Sequence, residues 1–376
     1  MNAPAHRIAA SPSFDVAIED LAAAPTLEAE WRRLAASASE PNVFYDPDFL
    51  VPAAHSFAGR SAVRLFTIRH DRRLVFLLPF QQERVGPLSI ARAFVHPYAT
   101  TTAPLVDHDA VTQVVSHWLS AEMPGACGWR LPAWPAQGCL NAAVEAHLAA
   151  AAIPHRVVSA HERALLAPRE PDRLYLETAL SRKALKELKR QGRRFVEAGA
   201  GTRERLRGAD AAEGFEMFMA LEAAGWKGKA GTAMAANRRV AAFGRAAVAA
   251  LAARDQVAVD VISAGEAPLA VTVTLESGGA AWLWKVAYDE AWAKYSPAVQ
   301  LIAGMTHSLA ESRPGLKVDS CAIPDHPMID RLWTERLPIA DLMIAAPGRS
   351  AAFAAAQSLA RAEHHARRMA KTLLRR

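Results

Sequence analysis

Apolar and β-branched residues alternate in part over 268–276 (PLAVTVTLE), stop at Ser277-Gly278-Gly279, and resume as AAWLWKVAY over 280–288. This pattern predicts a β-hairpin with an aromatic return strand. A short loop, 289–295, follows. Ser296-Pro297 then supplies a helix start: a hydroxyl able to cap free N–H groups, and a proline at the first helical position. Val299, Ile302, Met305, Thr306 and Leu309 fall on one face, so the helix is expected to pack against the sheet. Its first turn carries no acid, and Lys285 and Lys294 are near in sequence. Uncovered amides, the helix dipole and two cations together suit a phosphate.

The same reading extends outward. In the first half it predicts helices at 27–38, from Pro47 through His55, at 110–121 and at 139–152. Strands are expected at 63–69, 74–80, 129–131 and 155–160, with a break at Gly86-Pro87 and a Pro- and Thr-rich loop at 96–104. Pro168-Arg169-Glu170-Pro171 reads as a linker. Beyond it the pattern predicts helices at 181–198, 211–224, 237–253, 297–311 and near 325–335, and strands at 256–263, 268–276, 280–288, 316–321 and 338–344. Each half is then helices, antiparallel strands, helix, strand, helix, strand, which implies a structural duplication. The first half's counterpart to Ser296-Pro297 is Val106-Asp107-His108-Asp109. Its carboxylates would cap a helix and repel a phosphate, so an anionic cofactor is expected in the second half alone.

At 376 residues the chain suggests two cores, and 51% hydrophobic with 22% charged residues fits a globular protein. Three cysteines without a CxxC spacing point to reduced thiols in a cytoplasm and to no metal site. No secretory signal or membrane span is expected. The net charge of +6 concentrates at 182–207 and 361–376. The first cluster forms a basic helix (RKALKELKRQGRR) able to grip phosphate, an acidic glycan or a tRNA acceptor arm, or simply a solvated face. In the second, Met369 and Leu373 stand at helical spacing among Arg and Lys, which suits peripheral contact with an anionic membrane or a frayed basic end.

Four segments carry a family resemblance: SRKALKELKRQGRRF (181–195), LEAAGWKGKAGTA (221–233), KVAYDEAWAKYSPAVQL (285–301) and VDS (318–320). The second half resembles the GNAT acyltransferase fold, within the double-GNAT group related to cellulose-biosynthesis-associated acetyltransferases and, more distantly, FemAB aminoacyltransferases. The resemblance implies an α/β (α+β) protein of two tandem GNAT-like domains, each a mixed, mainly antiparallel sheet flanked by helices. Residues 1–13 would be a mobile leader, 14–167 a degenerate domain without cofactor, 168–346 the domain holding acyl-CoA, and 347–376 a basic helical tail. It implies an N- or O-acyltransferase that uses acyl-CoA, foremost acetyl-CoA. The acceptor would be a small-molecule, sugar or cell-envelope precursor in polysaccharide biosynthesis, seated in the groove between the halves. The alternatives are an aminoacyl-tRNA-dependent transferase, the one case with a nucleic-acid partner, and a non-catalytic partner in polysaccharide synthesis. The chain departs from the family where a Gly after the last Asp and a later Tyr-Lys pair are expected: it has SCAIPDHPMIDRLW, with Met328-Ile329 at that place. YSPAVQ also lacks the glycines of the family's pyrophosphate loop.

The expected cofactor-binding residues are Lys294, Ser296, Pro297, Ala298, Val299 and Gln300, although any well-capped helix has such a start. In 221–233, read as one flexible, glycine-punctuated loop able to close over a substrate, Glu222 can take a proton from an attacking amine, directly or through water, and Trp226 can act as a lid beside Lys227, Lys229 and Thr232. The plain alternative is a core tryptophan and a solvated glutamate. Lys285, Tyr288 and Asp289 end the strand before the cradle. Lys285 and Asp289 are candidates for substrate binding and Tyr288 for protonating a leaving thiolate, unless they are ordinary strand residues. Asp319 and His326 flank Cys321, with His326 as an alternative base oriented by Asp319. A histidine next to proline is as readily a loop residue, and nothing in the sequence lowers the Cys321 thiol pKa.

Overall fold

The computed structural model describes residues 13–359. The leader and the tail's Met369 and Leu373 therefore lie outside the described residues. The first half runs β1 (Phe14–Asp20), α1 (Ala24–Ser37), α2 (Pro47–Phe57), β2 (Arg64–His70), β3 (Arg73–Val85), β4 (Leu88–Ala93), the short β5 (Leu105–Val106), α3 (Val111–Ser120), β6 (Gly128–Pro135), α4 (Cys139–Ala150) and β7 (His155–Leu166). Two helices follow, α5 (Tyr175–Ala179) and α6 (Arg182–Glu197). The second half is β8 (Glu204–Leu206), α7 (Ala209–Ala224), the single turn α8 (Trp226–Lys229), α9 (Arg238–Ala252), β9 (Val257–Ala264), β10 (Ala267–Ser277), β11 (Ala280–Tyr288), α10 (Pro297–Ser312), β12 (Lys317–Asp319), α11 (Ile329–Leu332) and β13 (Glu335–Ala345). Apart from β5 and α8, the two halves repeat one order of elements.

All strands join one mixed, mainly antiparallel sheet in the order β1-β2-β3-β4-β6-β13-β7-β12-β11-β10-β9-β8, with β5 pairing β3. The parallel contacts recur at equivalent places, β4 with β6 and β11 with β12. β13 lies between β6 and β7, and β7 in turn borders β12. The division at 167/168 is thus one of the chain, and the sheet runs across it.

Local chemistry explains the elements that differ from expectation. Gly86-Pro87 is a hairpin turn, with Gly86 at φ +58, a conformation glycine takes freely. β4 therefore follows where the pattern suggested only a break. The helix expected near 325–335 shrinks to α11, because Pro324 and Pro327 each bar helical geometry in the residue before them. The strand expected at 316–321 ends at Asp319, and Cys321 sits at φ +54.

The cores tie the halves together. Trp31, Trp118, Trp129 and Trp134 are buried with Phe66, Phe76 and Phe80 in the first half. A second core crosses the boundary: Phe49 of α2 packs edge-on against Phe243 of α9 (5.2 Å) and Trp284 of β11 (5.6 Å). Burying one such aromatic side chain is worth about 1.5–3 kcal/mol, so this seam resists separation. On the opposite face α10 buries Ile302, Met305, Thr306 and Leu309, as its spacing predicts, and Val299 packs at the edge of that core. Trp333 donates its indole N–H to Thr306 Oγ1 at 2.8 Å.

Candidate active site

The start of α10 carries free amides, though not in the way the Ser-Pro pair suggested, and Pro297 and Ala298 are buried. Ser296 lies in the left-handed region (φ 54°, ψ 54°), and its hydroxyl caps nothing. The amide of Gln300 already bonds Ser296 O. Pro297 has no N–H, so Ala298 and Val299 carry the free donors, and no acceptor meets them among the described residues. No acid lies in this first turn. Gln300, expected to contact phosphate, instead donates through Nε2 to Leu188 O of α6 at 3.1 Å. Gly192 of α6 faces the same side chain: a Cβ there would stand 2.8 Å from Gln300 Oε1, at the end of a side chain able to shift.

That approach builds a cleft of about 380 Å³ beside the helix start, between α6 and the turn over 290–295. Arg190, Arg194, Glu197, Lys294 and Tyr295 line it, while Ser296 to Gln300 do not. Its cations therefore come chiefly from the basic helix. Arg190 is held by Glu187, whereas Arg194 and Lys294 have no carboxylate within 4 Å among the described residues. Phe195, Trp292 and Tyr295 cluster beneath, with centroids 5.6–5.8 Å apart.

Four other expected residues converge. Glu222, Trp226, Lys227 and Tyr288 line one small cleft of about 40 Å³. Glu222 is buried at the end of α7, accepting from Lys227 Nζ (2.7 Å) and Met234 N (2.8 Å). The stretch 221–233 is not the flexible loop expected. It folds into α8, and Glu290 pins it by accepting from Trp226 N (2.6 Å) and Lys229 Nζ (2.7 Å). Trp226 is 61% exposed, so it is not core. Thr232 bonds its neighbour's carbonyl, Lys227 O.

Lys285 sits where β11 leaves β12. The two strands pair only over Ala280–Trp282 with Lys317–Asp319, so from Leu283 onward that edge of β11 has no strand partner. Lys285 Nζ stands 4.2 Å from the ring centre of Tyr98 and 5.3 Å from that of Trp284. No carboxylate lies within 4 Å of it among the described residues. Burial, reinforced by Lys227, pulls its pKa down to about 8, with Glu222 acting in the opposite sense.

The first half supplies the other wall, which sequence reasoning missed. Tyr98 O accepts from Trp284 Nε1 (3.0 Å), and Thr100 Oγ1 reaches Cys321 Sγ (3.5 Å). Burial, then the charge of Glu222, raises the Tyr98 phenol pKa. Next to it His96, buried among Phe57, Phe94 and Phe243, has its pKa driven down to about 3 by burial and stays neutral. The only sequence signal was the density of Pro, Thr and His in the 96–104 loop.

The remaining candidates lie apart from this group. Asp319 is 5% exposed; its Oδ2 receives Arg163 at 2.5 Å and its Oδ1 the amide of Cys321 at 2.9 Å. It orders the chain and also lines a cleft of about 590 Å³ beside the β11–β12 pairing. His326 uses Nδ1 to accept from Met328 N and Ile329 N, starting α11. Asp289 caps the next turn through Ala291 N. Burial, followed by the charge of Asp319, pushes the Cys321 thiol far above its ordinary pKa, which argues against a thiolate nucleophile.

Residues 182–319 match the family model of the acetyltransferase (GNAT) domain. No curated protein matches the chain significantly. Among solved structures it resembles FemX, at 10% identity and TM-score 0.52 over 84% of this chain and 95% of that one. The C-terminal domain of a putative lysylphosphatidylglycerol synthetase from Agrobacterium fabrum is similar at 13% identity and TM-score 0.53, covering 89% and 96%. A conserved protein of unknown function from Bacteroides thetaiotaomicron aligns at 12% identity and TM-score 0.51, covering 88% and 100%. At these identities the likeness is one of fold. The GNAT-matching segment holds the cationic cleft, the Glu222 cleft and Lys285, and the chain as a whole shares its fold with FemX and the synthetase domain.

Proposed function

We propose that the chain is an acyltransferase that moves an acyl group, foremost acetyl, from a CoA thioester to an amine or hydroxyl. The observation that carries this reading is the pairing of an acid-free helix start at Ala298 and Val299 with a cationic cleft inside the GNAT-matching segment. Arg190, Arg194 and Lys294 would hold the cofactor's phosphates beside the two free amides, and the exposed edge of β11 would receive its chain. When bound, the cofactor supplies the activated acyl group.

This chain's own residues do the rest. Glu222 would take the acceptor's proton, directly or through water, since a carboxylate accepting two hydrogen bonds still has free lone pairs. Tyr288, in the same cleft, is the candidate to return a proton to the leaving sulfur. Trp226 shields the site, and Lys285, a cation without a carboxylate partner, suits an acceptor that bears its own negative charge. Such an acceptor enters between the halves, against Tyr98 and Thr100. Asp319, Asp289 and His326 support the site without touching the reaction. Kinship with the cellulose-biosynthesis-associated acetyltransferases, and a place in polysaccharide synthesis, rest on the order and spacing of the segments 181–195, 221–233, 285–301 and 318–320. Cys127, Cys139 and Cys321 are free thiols, which suits a reducing cytoplasm.

The test is thermal unfolding across a panel of acyl-CoAs, with free CoA and tRNA as controls. Ligand at a hundred times its Kd adds about 2.7 kcal/mol of stability, so even weak binding registers. A flat response to every thioester ends the proposal. The basic face of α6 and the FemX-like fold favour one second reading, transfer from an aminoacyl-tRNA. It requires stabilisation by tRNA and activity that RNase destroys.

A further inference from the structure

The largest cleft among those described lies in the first half and shares no lining residue with the clefts proposed for acyl transfer. It measures about 1040 Å³ and opens at the turn end of the β3–β4 hairpin, whereas the chain leaves the other end of β4 toward Tyr98. Five guanidiniums line it: Arg60, Arg64, Arg84, Arg92 and Arg349. One carboxylate, Glu83, faces them. Glu83 is also shared, accepting from Arg130 at 3.0 Å and lying 3.6 Å from Arg92. Arg92 is half-buried, and burial lowers its pKa, so its environment disfavours the charge it carries. Arg64 lies 5.2 Å over the Phe80 ring. Neither it nor Arg60, Arg84 or Arg349 has a carboxylate within 4 Å among the described residues. The walls are fixed, because Gln81 bonds Ala58 O and Ser61 O, and Gln82 bonds Pro124 O.

We infer that this groove is a binding site for a small ligand carrying two or more phosphate groups, such as the diphosphate of a nucleotide or sugar nucleotide. Guanidinium forks match phosphate oxygens in pairs, and arginines on several elements can grip separate oxygens of one anion. A lone carboxylate would leave most of the positive charge unmet, whereas a diphosphate brings several negative charges in one group. The cleft's volume accommodates a ligand of nucleotide size. This inference stands apart from the acyltransferase proposal and survives its failure.

The experiment is isothermal titration of the full chain with inorganic pyrophosphate at about 0.15 M salt. Sulfate, citrate and a short RNA oligonucleotide serve as competitors. The expected result is saturable binding, weakened about tenfold or more in an Arg60→Gln/Arg84→Gln double variant. Binding should persist in Arg190→Gln/Arg194→Gln, which disables the other phosphate-compatible cleft. Both groove residues are exposed, so folding should survive. Should the double variant still fail to fold, Arg349→Gln on the opposite wall must weaken binding on its own. Absent saturation overturns the inference. So does loss in the Arg190/Arg194 variant in place of the groove variant, an unchanged Arg349→Gln affinity, or equal or tighter binding of sulfate, citrate or RNA.

Discussion

α3 and α10 occupy the same place in the two halves: each follows a hairpin's return strand and precedes the strand that pairs with it in parallel. Neither helix has a side-chain cap of its own, and what stands directly before each differs. Before α3, buried Asp107 caps the turn His108–Ala110, accepting from Asp109 N at 3.1 Å and from Arg73 at 2.5 Å, so a carboxylate held by the protein's own arginine stands in the turn that leads straight into the helix. Before α10, Ser296 turns left-handed, caps nothing, and leaves Ala298 and Val299 without acceptors among the described residues, next to a cationic cleft. A helix start needs negative charge nearby, and a protein supplies it from its own side chains or leaves the place for a ligand. The duplicated halves chose differently.

The largest expected effect tests whether the second half's framework is as rigid as this contrast requires. Asp319→Ala strands Arg163 in the sheet, and breaking a buried pair costs about 3–5 kcal/mol, read as a lower urea midpoint. A variant of full stability with lost activity would instead make Asp319 a catalytic group. Next, Asp107→Ala removes the cap of the turn that leads into α3 and should cost about 1–2 kcal/mol while leaving acyl-CoA affinity unchanged. The mirror change, Ser296→Asp, writes the first half's solution into the second. Aspartate tolerates the left-handed backbone, so the fold should hold while acyl-CoA binding weakens about tenfold by calorimetry. An unchanged affinity would break the comparison. A fourth test is a pH dependence. The Lys285 pKa falls from 10.5 to about 8 in the folded chain. Between those values the unfolded chain binds more protons, so stability should rise with pH across the window relative to Lys285→Met, and be flat below it. The same deprotonation should weaken an anionic acceptor as pH passes 8.

What was legible in the sequence was whatever depended on neighbours along the chain. The hairpin at β10–β11, the face of α10 and the duplicated order of elements all follow from periodicity and turn residues. The short strands β4 and β8 did not, because strand pairing across the sheet, not local pattern, holds them. Ser296 illustrates a deeper limit: Ser-Pro is a good capping signal, yet its backbone angle is set by the turn before it. Glu222, Trp226 and Lys227 were visible as chemistry within one stretch. Tyr98 and Thr100 were not, since their partners Lys285, Trp284 and Cys321 lie nearly two hundred residues or more away.

The position of β13 has a consequence for how the protein is made. When a ribosome has released β6 and β7, the slot between them stays vacant until the chain has grown to Ala345. Three bare strand edges, one of β6 and both of β7, then wait for β12 and β13, exposed to any neighbouring nascent chain. Fragments cut at the apparent midpoint inherit that vacancy permanently, so the halves that look interchangeable on paper are born as one obligate folding unit.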